Sequence, residues 1–247
     1  MPSLYKFLYL LKKDTEILNF GRNIIINWSQ EILKEPITEP IKILDLGCGQ
    51  GADLLNIKNS NQKNIELYGI ENFELYAKKA ESEGIIIFRL NLEKDRLPFL
   101  DNTFDIIIAN QIFEHLKEIF WLLGEMSRVA KPNSTVIIGV PNLASLHNRI
   151  GFLFGLQPTS INPLSAHIRG FTKKAMTELV EKDEYFKLEK IEGSNFYPFP
   201  KWLSQVLPKI FPNLSVALFY NIIRTNKKGN YLNILNNLEL ETPFYKG

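Results

Sequence analysis

The chain has 247 residues, 45% of them hydrophobic and 23% charged. Those are the proportions of an ordinary globular protein, not of a disordered, collagen-like or disulfide-scaffold chain. A chain of this size buries roughly three quarters of its extended surface, so a core forms without disulfides or a structural metal. Its 29 basic and 27 acidic residues leave a net charge of +2, too balanced to select a nucleic-acid partner. The single cysteine, Cys48, cannot pair within the chain, and a cytoplasmic location is expected.

The opening MPSLYKFLYLLKKDTE lacks the basic start and small-residue cleavage site of a secretory signal. No apolar run reaches the roughly 18 to 20 residues that span a bilayer. Apolar residues at helical spacing from Leu4 to Ile32 predict an N-terminal helical cover over residues 1–40, broken near Gly21 and ended by Pro36 and Pro40. An alternation then begins. IKILDLG, IELYGIE, IIIFRL, FDIIIAN and STVIIGV read as buried strands. ADLLNIK, LYAKKAESEG and EHLKEIFWLLGEMSRVA read as the helices between them. Strand–helix alternation of this kind predicts an α/β fold with a mostly parallel sheet covered on both faces.

After Pro141 the texture changes. Residues near 142–170 and 196–215 read as lid insertions, with a helix over 172–182 capped by Thr172 between them. FKLEKIEG and VALFYNIIRT supply two further strands, and residues 227–247 read as a loose tail. The segment FPKWLSQVLPKIF predicts an amphipathic helix with Trp202, Leu203, Val206 and Leu207 on one face. That face suits a lid, a peripheral membrane contact or a lipid-linked substrate.

The strongest signal is ILDLGCGQGADLL. A strand runs into Gly47, Gly49 and Gly51 and a helix follows, so the chain turns tightly and a ligand can approach its backbone. Gly47, Gly49 and Ala52 also satisfy the dinucleotide pattern, which leaves a nicotinamide-dependent oxidoreductase open. Asp45 weighs against it. A carboxylate two residues before Gly47 can steady the turn or lie near a cationic ligand, and it is poorly placed beside a pyrophosphate.

With Asp45 to Gly51 on the page, the sequence resembles class I S-adenosylmethionine (SAM) methyltransferases, whose first motif is an acidic residue followed by G-x-G-x-G. The resemblance runs over residues 41–140 and implies a Rossmann-like seven-stranded sheet of order 3-2-1-4-5-7-6, within a domain spanning 41–226. It implies SAM as cofactor, with Glu71 on the ribose hydroxyls and Asn91, where the family often has Asp, near the adenine amino group. It further implies the Leu92 amide near the ring, and Asn110 and Gln111 near the methionine part. The segments PNLASLHNRIGFLFG and HIRGFT resemble a bacterial subgroup associated with cell-surface glycan or small-metabolite biosynthesis. The implied reaction is methyl transfer to a small-molecule, glycan or lipid-linked acceptor, with oxygen preferred. A non-catalytic SAM-binding module is the other reading.

An oxygen acceptor usually needs a general base. The candidates are His167, in the lid segment, and His115, after the fourth strand; His147 is the third histidine. Arg149 and Arg169 could hold an anionic substrate group. Glu114, His115 and Glu118 fall in one short helical span, but a second nearby histidine is missing, so no metal is expected.

Overall fold

The computed structural model describes residues 21–34, 39–60 and 64–237. The first expected helix, the tip of the N-terminal cover and the end of the tail lie outside them. Within them, Gly21 (φ 69°) starts helix α1, Arg22–Leu33. Strands β1 (Ile41–Leu46), β2 (Ile65–Ile70), β3 (Ile86–Phe88) and β4 (Phe104–Asn110) follow, with helices α2 (Ala52–Asn59) and α3 (Glu74–Ser82) between the first three. Helix α4 (Ile119–Val129) leads into β5 (Ala130–Pro141). Helix α5 (Leu146–Leu153), helix α6 (Lys173–Glu181), β6 (Phe186–Ser194), helix α7 (Lys201–Ile210) and β7 (Ala217–Arg224) complete the order.

The strands form one sheet of order β3-β2-β1-β4-β5-β7-β6. The pairs among β1 to β5 are parallel, and β7 runs antiparallel to both β5 and β6. This is the order the resemblance implied, and helices cover both faces of its apolar parallel strands. The side-chain period of two sorts them. Leu44, Leu46, Ile107 and Tyr220 face one core with α4 and α6. Ile43, Ile106, Ile108 and Phe219 face the other with α1 and α2. Trp28 of α1 is buried and donates its indole N–H to Glu192 of β6 at 2.9 Å, which ties the N-terminal cover to the far edge of the sheet. Thr172 caps α6 as expected, accepting from the Ala175 amide at 3.2 Å.

Three expectations change. The helix expected from Glu114 onward is divided: Phe113–His115 is a single 3-10 turn, and α4 begins only at Ile119. Part of the expected loose tail is ordered, since Tyr231–Asn237 forms a 3-10 helix that buries Tyr231 and Ile234 in the first core. The apolar stripe of α7 is divided as well. Leu203 and Leu207 turn partly inward, while Trp202 and Val206 face outward at 66% and 50% exposure.

Candidate functional site

The site stands at the carboxyl ends of β1, β2, β4 and β5, where parallel α/β sheets take their ligands. The turn after β1 carries three left-handed residues, Gly47, Gly49 and Gly51, at φ 72°, 54° and 82°. At two of them a side chain would also press on a neighbouring isoleucine. A Cβ on Gly47 would stand 2.7 Å from Cδ1 of Ile112, and one on Gly51 2.2 Å from Cδ1 of Ile85. A Cβ on Gly49 would meet nothing within 4 Å. Its outer face is open, the space a ligand on the backbone requires.

Carboxylates ring this turn. Glu71, just past β2, accepts from the Gly49 amide at 2.9 Å through Oε2 and from the Phe73 amide at 2.7 Å through Oε1. It therefore staples the turn while each oxygen keeps a second lone pair for a hydroxyl donor. Asp45 is 2% exposed, and burial, with Asp53 and Glu71 nearby, holds its carboxyl well above the usual range. Asp53, in the first turn of α2, accepts from Nδ2 of Asn110 at 2.9 Å and pairs with Arg22 at 3.2 Å. Burial raises its pKa too. Sequence reasoning missed Asp53 and Arg22. Their pairing joins α1 to α2, and no local motif signals it. Cys48 is a buried filler whose thiol is pushed up by burial and then by Asp45 and Glu71.

Gln111 follows β4 with φ 58°, and its buried Nε2 has no hydrogen-bond partner among the described residues. Asn91 is partly buried, and its Oδ1 accepts from the Glu93 amide at 2.9 Å. That bond closes a local turn and leaves one lone pair for a further donor. Leu92 is anchored in the first core. A cluster of buried acids, an open glycine face and an orphaned amide donor fit a ligand that is cationic, rich in hydroxyls and carries a carboxylate. SAM has all three properties.

A second cluster adjoins the turn, because Ile112 lies over Gly47. The segment near residue 168 is laid against the 3-10 turn: the Ile168 and Arg169 amides donate to the Glu114 carbonyl at 2.8 and 3.2 Å. The Arg169 guanidinium donates to the carbonyls of Leu116 (2.9 Å) and Lys117 (2.6 Å), so its fork holds this loop rather than an anion. The result places the His115 and His167 rings 4.7 Å apart, edge to face. His147 stands elsewhere, between Ser145 and Thr159 and beside Tyr197. Burial lowers its pKa to about 4. Arg149 donates to the Ala144 carbonyl at 2.6 Å.

Comparison with known proteins now decides the family. The model of the family described as "Methionine biosynthesis protein MetW" matches residues 29–166. The chain belongs to this family. It is 29% identical over 128 residues to the bifunctional methionine biosynthesis protein MetXA/MetW of Rhodopirellula baltica, covering 49% of this chain and 20% of that one. It is 28% identical over 114 residues to norajmaline N-methyltransferase of Rauvolfia serpentina, covering 43% and 38%. The chain thus spans well under two thirds of these curated relatives. An uncharacterized protein of Methanocaldococcus jannaschii is 26% identical over 216 residues, covering 81% of this chain and 90% of that one. Among solved structures, a SAM-dependent methyltransferase from Thermotoga maritima superposes with a TM-score of 0.57 at 15% identity, covering 90% and 95%. The plantazolicin methyltransferase BpumL, solved with a substrate analogue and S-adenosylhomocysteine (SAH), gives 0.57 at 20% identity, covering 87% and 89%. These likenesses show that the MetW-family chain has the fold of class I SAM-dependent methyltransferases. The nicotinamide alternative shares the glycine turn and gains nothing from the family match.

Proposed function

We propose that this MetW-family protein is an enzyme that binds SAM at the β1 turn and transfers its methyl group to a small-molecule, glycan or lipid-linked acceptor. Bound there, SAM would supply an electrophilic methyl group on a sulfonium. The observation that carries the reading is the open left-handed Gly49 held by Glu71 and flanked by buried Asp45 and Asp53. Glu71 would take the ribose hydroxyls. Asn91 and the Leu92 amide would border the adenine. Asn110 and the orphaned Gln111 amide would face the methionine end. The acidic surroundings favour a cation over a pyrophosphate.

The acceptor would enter from the lid side, over residues 142–170 and 196–215. Oxygen remains the preferred acceptor atom, because the two candidate histidine rings stand together, 4.7 Å apart. The Nδ1 of His115 lies 3.3 Å from the Ala166 carbonyl and that of His167 3.0 Å from the Ser160 carbonyl. A carbonyl only accepts, so each Nδ1 carries the proton and each Nε2 keeps its lone pair in the neutral ring. Burial lowers the pKa of His115, with the Ala166 carbonyl opposing the shift and His167 adding to it. The pair would promote loss of the acceptor's proton. The outward Trp202 and Val206 suit a lipid-linked acceptor or a peripheral membrane contact. No helix among the described residues is long and apolar enough to cross a membrane.

Calorimetric titration of the purified chain with SAM and SAH, repeated on Glu71→Ala, tests the cofactor assignment. Micromolar binding to wild type, weakened at least tenfold in the variant, supports it. A folded wild type that binds neither overturns it. Formation of SAH with a panel of hydroxylated and amino acceptors then separates an enzyme from a binding module.

A further inference from the structure

The sequence places Glu114 and His115 side by side and leaves His167 more than fifty residues away. Folding brings a ligand atom of each within 4.8 Å of the other two. Among the described residues this is the one group of three or more histidine, cysteine or acidic side chains suited to a metal ion. We propose that Glu114, His115 and His167 form a binding site for one divalent transition-metal ion of the kind that takes imidazole and carboxylate together, such as zinc, manganese or iron(II).

Three features beyond proximity make this a built site. The first is Glu114 itself. It is 1% exposed, and no other residue among those described donates to either carboxylate oxygen. An ionised carboxylate buried without donors is costly, so such a group is paired, bound to metal or held protonated. Arg169, whose amide bonds to the Glu114 carbonyl, commits its guanidinium to the backbone carbonyls of Leu116 and Lys117. The second feature is histidine orientation. Each ring gives its Nδ1 proton to a backbone carbonyl, Ala166 for His115 and Ser160 for His167. Bonds of that kind fix the ring and its tautomer in metal sites and leave Nε2 as the ligand. The third is the frame. The Ile168 and Arg169 amides both bond to the Glu114 carbonyl, so the loop carrying His167 is fastened to the turn carrying the other two ligands.

Ligand atoms about 2.0 to 2.2 Å from one ion stand roughly 3 to 3.5 Å apart. From separations of up to 4.8 Å, side-chain rotations closing the gap by about 1 to 2 Å complete the first shell. Three protein ligands leave coordination positions open, as in two-histidine-one-carboxylate centres. An acceptor hydroxyl bound there would lose its proton more readily, because the ion lowers the pKa of a bound oxygen. That role rests on the methyl-transfer reading. The binding of the ion does not.

The test uses the full chain after treatment with chelator, titrated with Co(II) alone and followed by its visible absorption, with Zn(II) and Mn(II) by calorimetry. One equivalent is expected to bind in the micromolar range or tighter. Binding should weaken at least tenfold in Glu114→Gln and in His167→Ala, while both variants keep wild-type affinity for SAH. Retained SAH affinity shows that a variant is folded and that the cofactor assignment stands apart from the metal. Absence of saturable binding to wild type overturns the proposal. So does binding that neither substitution alters, which places the ion elsewhere. His115→Gln provides a third variant if His167→Ala loosens its loop.

Discussion

The glycine turn offers a comparison in which two like substitutions should behave differently. In Gly51→Ala the new Cβ is forced to φ 82° and meets Cδ1 of Ile85 at 2.2 Å. Left-handed backbone costs an alanine about 1 to 2 kcal/mol. Overpacking against a buried side chain adds roughly 1 to 3 kcal/mol. The sum, near 3 kcal/mol, lowers the melting temperature of a domain this size by about 6 to 12 °C. In Gly49→Ala the conformational cost at φ 54° is similar, but the Cβ meets nothing within 4 Å. The loss is therefore about 1 to 2 kcal/mol, or roughly 2 to 8 °C. Its larger effect falls on the ligand, because the methyl group projects into the space where the cofactor would approach. A tenfold or greater loss of SAH affinity, about 1.4 kcal/mol, is expected from Gly49→Ala. Thermal unfolding and calorimetric titration of the two variants side by side provide the readout. If Gly49→Ala binds SAH as tightly as wild type, the cofactor does not lie over this turn and the site as drawn is wrong.

Other residues yield further expectations. His147 has its pKa lowered to about 4 by burial, below the ordinary value near 6.5. Between pH 6.5 and 4 the unfolded chain therefore binds the proton that the folded chain refuses, and stability falls as pH falls through that window. The loss is at most about 3 kcal/mol. His147→Gln should flatten this part of the stability profile in urea titrations, and an unchanged slope would count against a buried neutral ring. Arg169→Ala removes two bonds to backbone carbonyls that hold the His167 loop. It should leave SAH affinity within about twofold and lower methyl transfer at least tenfold; equal losses in both would show that the loop supports the whole fold instead. Thr172→Ala should cost about 1 kcal/mol through loss of the cap on α6, read as a shift of the urea midpoint.

How much the sequence could reveal depended on the range of the interaction. The strands were legible because most are short apolar runs alternating with helices, and parallel strands buried on both faces need no alternation to declare them; their order in the sheet came from the resemblance carried by the glycine turn. The turn was legible for a similar reason: Asp45, Gly47, Gly49 and Gly51 act within seven consecutive residues. Where a residue's role depends on distant partners, the sequence was silent. Asp53 looks like an ordinary helix-start acid until Arg22 and Asn110 converge on it. Tyr231 sits in an Asn- and Lys-rich stretch with no periodicity, and only its packing against Tyr185, 5.3 Å between ring centroids, shows that the stretch completes the core. Arg169 looked free to hold an anion, because carbonyls as hydrogen-bond partners leave no trace in residue identity. The same limit governed the second cluster. The missing second histidine near Glu114 was a statement about sequence distance, and the segment between α5 and α6 folds back to make that distance irrelevant. An unpaired buried glutamate is the physical mark that remains once the chain is folded. It makes the meeting of His115 and His167 a question of chemistry rather than of loop packing.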